Sequence, residues 1–178
     1  AIYSDHAVLQ QQSEITIWGW ADPGEPVSLK ADWRKEPLAV TTAPDGRWSA
    51  KLQTLAAGGP HRLEITGKNT IALKDLYFGE VWFCSGQSNM EMAVGSNTDN
   101  CKAEISSANH PQIRMFTVVR QRADQPAADC KGDWTVCSPE TVAKWSAAAY
   151  FFGRKINHEL NVPVGLIHSS WGGTEVEV

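Results

Sequence analysis

The sequence predicts an all-β, sandwich-like module over residues 1–77, followed by the first part of an α/β domain with a parallel sheet over residues 78–178. Three observations predict this. Short period-two strands separated by turn signals, with no helical period, fill the first 77 residues. An apolar run, Val81–Cys84, then meets a tight Ser85-Gly86 turn and two residues suited to capping a helix, Ser88 and Asn89. Finally, an amphipathic run around residues 149–160 leads through Pro163 into the buried stretch Val164–Ile167. A helix feeding such a strand is the crossover that a parallel sheet needs.

Ile15-Thr16-Ile17-Trp18-Gly19-Trp20 alternates apolar with small or polar residues, and Asp22-Pro23-Gly24-Glu25 turns the chain. Val27–Ala31 and Leu38–Thr42 read as further strands. Ala43-Pro44-Asp45-Gly46 is a hairpin turn, because Pro presets φ and Gly accepts φ > 0. Arg47–Leu52 is expected to return antiparallel, and Gly58-Gly59-Pro60 to break the chain before His61–Thr66. The pattern changes near Leu76–Gly79, the expected domain boundary. Gly95–Cys101 reads as a polar loop, Ile113–Val119 as a second strand of the α/β unit, and Arg120–Cys137 as a long surface excursion. Ser138-Pro139-Glu140-Thr141 is a helix-start signature. Ala149, Phe152, Ile156 and Leu160 then mark a buried stripe opposite Arg154, Lys155 and Glu159, and Asn161-Val162-Pro163 ends the helix.

Bulk properties exclude several function classes. With 16 Lys+Arg against 20 Asp+Glu the net charge is −4, which argues against general nucleic-acid binding. No basic run suits an anionic membrane surface, and no apolar stretch approaches the ~20 residues that span a bilayer. The opening residues Ala1–Asp5 read as folded domain, not as a leader. Cys84, Cys101, Cys130 and Cys137 fit no metal-binding spacing. Cys84 reads as a small buried hydrophobe. Cys130 and Cys137 flank a turn-like insert and could close a disulfide loop in an oxidising compartment. Eight tryptophans against three tyrosines are unusual. They read either as core or, at Trp18, Trp20, Trp33 or Trp48, as platforms for sugar rings.

A strand running into a turn and a helix places Ser88 at the carboxyl end of the sheet, where ligands of open α/β folds bind. Ser88 is therefore the candidate nucleophile. Acyl transfer needs a hydroxyl, oxyanion donors and a base. Unpaired N–H groups at the helix start suit an oxyanion, as does a backbone amide of Gly172 or Gly173, where no Cβ blocks close approach. Trp171-Gly172-Gly173-Thr174 follows its own strand at the same end of the sheet, so topology alone brings the two motifs together. Asn89 is expected to steady the turn. His168 is the histidine nearest the site by topology, with a structural role the simpler reading.

Gly86-Gln87-Ser88-Asn89-Met90, reached through Glu80-Val81-Trp82, resembles the first motif of the sialate O-acetylesterase family. These are carbohydrate acetyl esterases of the SGNH-hydrolase class. Val164-Gly165-Leu166-Ile167-His168-Ser169-Ser170-Trp171-Gly172-Gly173-Thr174 resembles that family's oxyanion-glycine segment. The resemblance implies an SGNH-like domain and a serine esterase that removes O-acetyl groups from sugars. Sialic acid esters are favoured; acetylated xylan or another plant glycan is the alternative, because the visible motifs handle the acetyl group and not the sugar. No cofactor or metal is implied. The family's base lies in an Asp-x-x-His motif, and no histidine here has Asp three residues before it. The chain thus reads as the amino-terminal piece of a longer, secreted or periplasmic esterase, with its His and Asp supplied from outside. Val81–Cys84 or Val164–Ile167 is expected to pair with that missing polypeptide. A reading of another class is a non-catalytic carbohydrate-binding or structural fragment.

Overall fold

The computed structural model describes residues 2–96 and 99–174. Seven strands come first: β1 (Val8–Gln10), β2 (Glu14–Trp20), β3 (Pro26–Ala31), β4 (Leu38–Thr41), β5 (Arg47–Gln53), β6 (Gly58–Thr66) and β7 (Thr70–Gly86). There follow α1 (Ser88–Glu91), α2 (Cys101–Ser107), β8 (His110–Val118), β9 (Gly132–Cys137), α3 (Ala147–Leu160) and β10 (Val164–Ser170). Most of the structure is thus β, with one mixed eight-stranded sheet and a separate β2–β5 pair.

The large sheet is strung on β7, whose 17 residues change neighbours midway. Its first half pairs antiparallel with β6 and, at Tyr77–Gly79, parallel with β1. From Glu80 to Gly86 it pairs parallel with β10, which pairs parallel with β8 in turn. The expected boundary at 77/78 falls inside this continuous strand, where the partners change.

The Ala43–Gly46 turn forms, with Gly46 N–H donating to Ala43 O at 3.0 Å, but it does not make a hairpin. β4 pairs with β3 and β5 with β2, so the turn carries the chain from one sheet to the other. Ile17, Trp48, Ala50 and Leu52 from the small sheet share a core with Val27, Leu29, Leu63 and Leu73 from the large one. Alternate burial along β5 is the period-two signature of that packing. Gly58-Gly59-Pro60 does not break the chain; it lies within β6, where the register against β7 shifts.

Both faces of the parallel sheet are covered, as such sheets require. On one face, Ile113, Met115, Val164 and Leu166 pack against Ala147, Ala149 and Tyr150 of α3. On the other, Phe116, Trp134 and Ile167 join the amino-terminal core, and Trp134 Nε1–H donates to Ile2 O at 2.8 Å. Arg114, 2% exposed, fastens the two halves through Asp75 at 3.0 Å and the His6 carbonyl at 3.1 Å.

Several expectations are corrected. The buried stripe of α3 is Ala147, Ala149, Tyr150 and Gly153, while Phe152 and Leu160 are 40% and 56% exposed. The helix starts at Ala147, capped by Ser146 Oγ accepting from Ala149 N–H, and Ser138–Thr141 introduces only a 3-10 turn at Val142–Lys144. Arg120–Cys137 is no simple excursion, because β9 lies in it; α2 begins at Cys101, in the stretch read as loop. Asn97, Thr98 and residues 175–178 lie outside the described residues.

All four cysteines are free. The Cys130–Cys137 loop cannot close, because β9 is extended between them. Five strand steps from Gly132 to Cys137 span roughly 16 Å, against the ~4–7 Å between Cα atoms that a disulfide tolerates. Burial also pushes the Cys137 thiol up to about 11. Among the described residues no helix is long and apolar enough to cross a membrane.

One edge of the parallel sheet stays open. Glu80 N–H donates to Pro163 O and Gly86 O accepts from Trp171 N–H, so the even-numbered residues of this part of β7 turn their backbone toward β10. Val81, Phe83 and Ser85 turn theirs away. The Val81 N–H is taken by Gln10 Oε1 at 3.0 Å. Beyond it, no strand among the described residues covers that edge, and Phe83 is 67% exposed. Val164–Ile167, the other candidate edge, is internal.

Candidate active site

The register of β7 against β10 builds the site. Gly86 lies opposite Ser170, so the two strands end together and their following turns meet. Gly86 leaves the strand at φ +145°, a conformation that L side chains rarely adopt. Gln87 is then the N-cap and Ser88 the first helical residue, so the helix starts one residue sooner than a Ser88 cap would give. With only four residues α1 has little macrodipole, so its contribution is unpaired N–H groups at its start. Trp171 N–H donates to Gly86 O at 3.1 Å, tying the glycine turn to the end of β7. A Cβ on Gly172 would lie 3.9 Å from Ser88 Cα. The two sequence motifs are in contact.

The single turn of α1 is held from several sides. Ala147 N–H donates to Met92 O at 2.8 Å and Val94 N–H to Trp145 O at 2.9 Å, which anchors its exit to the start of α3. Ser146 Oγ meets Met90 Sδ at 3.4 Å. Below it, buried His168 pairs through Nε2 with Ser170 Oγ at 2.6 Å, and its ring also engages the Met90 backbone. Burial, followed by the nearby Arg120 charge, holds the His168 ring below its ordinary range. That is the structural role the sequence favoured.

Asn89 is exposed, and its side chain makes no hydrogen bond among the described residues. Other groups steady the turn, and the Asn89 amide is left facing outward. Ser88 Oγ is likewise exposed and without a partner there. The remaining histidines are engaged or distant: His6 with Asp75, His61 with Asp32, His158 with Glu159 on the exposed side of α3, and His110 near Tyr150.

Sequence reasoning missed a charged pair at this junction. Glu91, on the last residue of α1, accepts the Gly172 N–H on Oε2 and pairs through Oε1 with Arg120. Arg120 Nε–H also donates to Ser170 O at 3.2 Å. Glu91 sat in plain view three residues after Ser88. Arg120 carried no signal, standing at the start of an aperiodic stretch. Arg122 lies over the Trp171 ring, 5.9 Å from its centroid, at the lip of the same turn. Among the described residues no three His, Cys, Asp or Glu side chains group so as to hold a metal ion.

The class comes from the fold. A crystal structure of a carbohydrate acetylesterase from Xanthomonas citri matches with a TM-score of 0.93 and 31% identity, over 99% of this chain and 40% of that one. The particular relatives come from sequence. The rat sialate O-acetylesterase is 34% identical, and the human one 30%, covering 100% and 99% of this chain. No family model matches. The chain is thus a homologue of the sialate O-acetylesterases along its whole length, as its two motifs implied. It spans 36–37% of the length of these curated relatives.

Proposed function

We propose that this chain is the part of a serine carbohydrate O-acetylesterase that carries the nucleophile and the oxyanion site. The observation that carries the reading is the meeting of the Ser88 turn and the Gly172-Gly173 turn at the carboxyl ends of two adjacent parallel strands. Ser88 Oγ attacks the acetyl carbonyl while backbone N–H groups of Ser88 and the glycine turn receive the oxyanion. A His-Asp pair from polypeptide outside this chain takes the proton and returns it to the sugar hydroxyl as it leaves. Water then hydrolyses the acetyl-enzyme by the same route. Residues 78–178 form the start of the SGNH-like catalytic unit, residues 1–77 form a β module packed behind it, and the protein works in a secreted or periplasmic setting.

In the full-length protein, Ser88→Ala is expected to abolish acetyl ester hydrolysis with folding unchanged. Retained turnover would sink the nucleophile assignment.

Sialic acid acetates are the preferred substrate class over neutral xylan. A sialic acid carries a carboxylate, and Arg122 over Trp171 offers a cation and an apolar ring face beside the glycine turn. Arg122→Gln should raise KM for an acetylated sialic acid and leave a neutral acetyl ester unaffected. Equal effects on both substrates would remove the preference.

A second reading, a carbohydrate-binding fragment without catalysis, is favoured by Trp18 and Trp20, which are 40% and 53% exposed on one face of β2. Trp48 is buried, and Trp33 packs edge-on against Phe78 at 5.0 Å, so these two are not platforms. Glycan binding that survives Ser88→Ala and fails in Trp20→Ala would support that reading.

A further inference from the structure

The two adjacent glycines of the turn do not offer equivalent amides. The Gly172 N–H is already donated to Glu91 Oε2, while the Gly173 N–H has no partner among the described residues. Gly173 also takes φ +80°, the left-handed region that favours glycine. Glu91 in turn holds Arg120, and Arg120 holds the carbonyl of Ser170, the last residue of β10. A closed ring of contacts therefore runs from α1 through Glu91 to the glycine turn, and through Arg120 to the strand that precedes it. Nothing in this ring touches the Ser88 hydroxyl. Its geometric effect is to set the distance between the Ser88 turn and the glycine turn.

We propose that Glu91 and Arg120 are positioning residues that clamp the glycine turn through the Gly172 amide, leaving the Gly173 amide as the oxyanion donor. The proposal rests on Ser88 being the nucleophile. It departs from a simple pairing of the serine with either glycine, because it gives each glycine a separate task. A carboxylate is a strong acceptor for an amide N–H, and it would repel an oxyanion placed on that same amide. Gly172 therefore cannot hold Glu91 and a developing negative charge at once.

The proposal makes a prediction of opposite sign from its rival. If Gly172 were the donor, Glu91 would be an inhibitor of its own site, and Glu91→Ala would keep or raise kcat. If Glu91 is the clamp, Glu91→Ala lets the turn drift, and a misplacement of ~1 Å lowers kcat by about 100-fold. Glu91→Gln keeps an oxygen in reach of the Gly172 amide and is expected to recover much of that loss. KM for a small acetyl ester should stay within about threefold throughout, because the ring shapes the transition state and not the sugar site.

The experiment is steady-state hydrolysis of p-nitrophenyl acetate by the full-length protein, comparing wild type, Glu91→Ala, Glu91→Gln, Arg120→Gln and Ser88→Ala. Exposed ion pairs contribute little to stability, so these variants should fold. Should Glu91→Ala fail to, Glu91→Asp takes its place, keeping the charge but withdrawing the carboxylate from Gly172. The expected order of kcat is wild type above Glu91→Gln above Glu91→Ala or Glu91→Asp, with Arg120→Gln also reduced. A kcat at or above wild type in Glu91→Ala or Glu91→Asp, or a loss confined to KM, overturns the clamp. Activity retained in Ser88→Ala overturns the nucleophile reading instead, so the two failures are told apart.

Discussion

Gly172 and Gly173 require glycine for different physical reasons, and substitution separates them. A Cβ on Gly172 would stand 2.5 Å from Glu91 Oε2, whereas one on Gly173 meets nothing within 4 Å but must sit at φ +80°. Gly173→Ala should therefore lower stability by about 1 kcal/mol, the strain of a left-handed residue with a side chain, as read by chemical denaturation. Gly172→Ala should leave the melting temperature nearly unchanged, since a flexible carboxylate can retreat, and yet lower kcat by roughly tenfold or more. A Gly172→Ala enzyme with full kcat would show that the contact does not matter. His168 sets a second residue-scale expectation. Its folded value is depressed below the ordinary 6.5, so between the two the unfolded chain binds a proton that the folded chain does not. The stability this neutral ring contributes is complete above pH 6.5 and is lost as the pH falls through the depressed folded value. Thermal melts from pH 7.5 to 5 should decline more steeply in wild type than in His168→Gln; parallel declines would refute the assignment. The meeting of the Ser88 and Gly172-Gly173 turns was legible because each lies in a short motif directly after a strand of one parallel sheet. Arg120 was not, because its role is created by a contact 29 residues away from Glu91 along the chain.

At the scale of elements, α3 shows how apolar patterning can select the wrong face. The sequence stripe was chosen by its largest residues, Phe152, Ile156 and Leu160. The helix instead buries Ala147, Ala149 and Gly153 beside the one large ring of Tyr150, because close approach to β10 needs a thin surface. A Cβ on Gly153 would meet Leu166 Cδ1 at 2.8 Å. Two effects then compete in Gly153→Ala: about 1 kcal/mol of helix propensity gained and about 1–3 kcal/mol of overpacking. Leu166 is fully buried and has little room to yield, so the net result should be destabilisation by about 1 kcal/mol. A stabilised variant would mean that the helix can lift from the sheet. Phe152 finds a use outside the core, edge-on to Trp82 at 5.0 Å. The strands of the first half were legible as segments, since alternation fixes which residues are inside, but their partners were not. Nothing local in Arg47–Gln53 says that it pairs with β2 and not with β4. β9 and α2 escaped because one is short and opens with Gly-Asp, and the other is mostly polar.

For the whole molecule, the open edge of β7 dominates. Phe83 is 67% exposed and Trp82 42%, beside backbone groups that no strand among the described residues pairs, and exposed edges of this kind recruit other chains. We expect a strand of polypeptide outside these residues to complete the sheet there. Produced alone, the 178-residue chain should self-associate in light scattering, and Phe83→Lys should reduce that association. A stable monomer of wild type at high concentration would contradict the expectation. The composite path of β7 also dictates an order of events as the protein is made. Its first half can be enclosed by β6 and β1 once residue 86 has emerged, since both partners precede it. The second half must wait for β10, nearly eighty residues later. At the ~5–20 residues per second of synthesis, the Ser88 turn spends on the order of several seconds with no glycine turn to meet. Until β10 arrives, a nascent chain therefore displays the Ser88 turn on a bare, sticky strand, the interval in which a chaperone has most to protect.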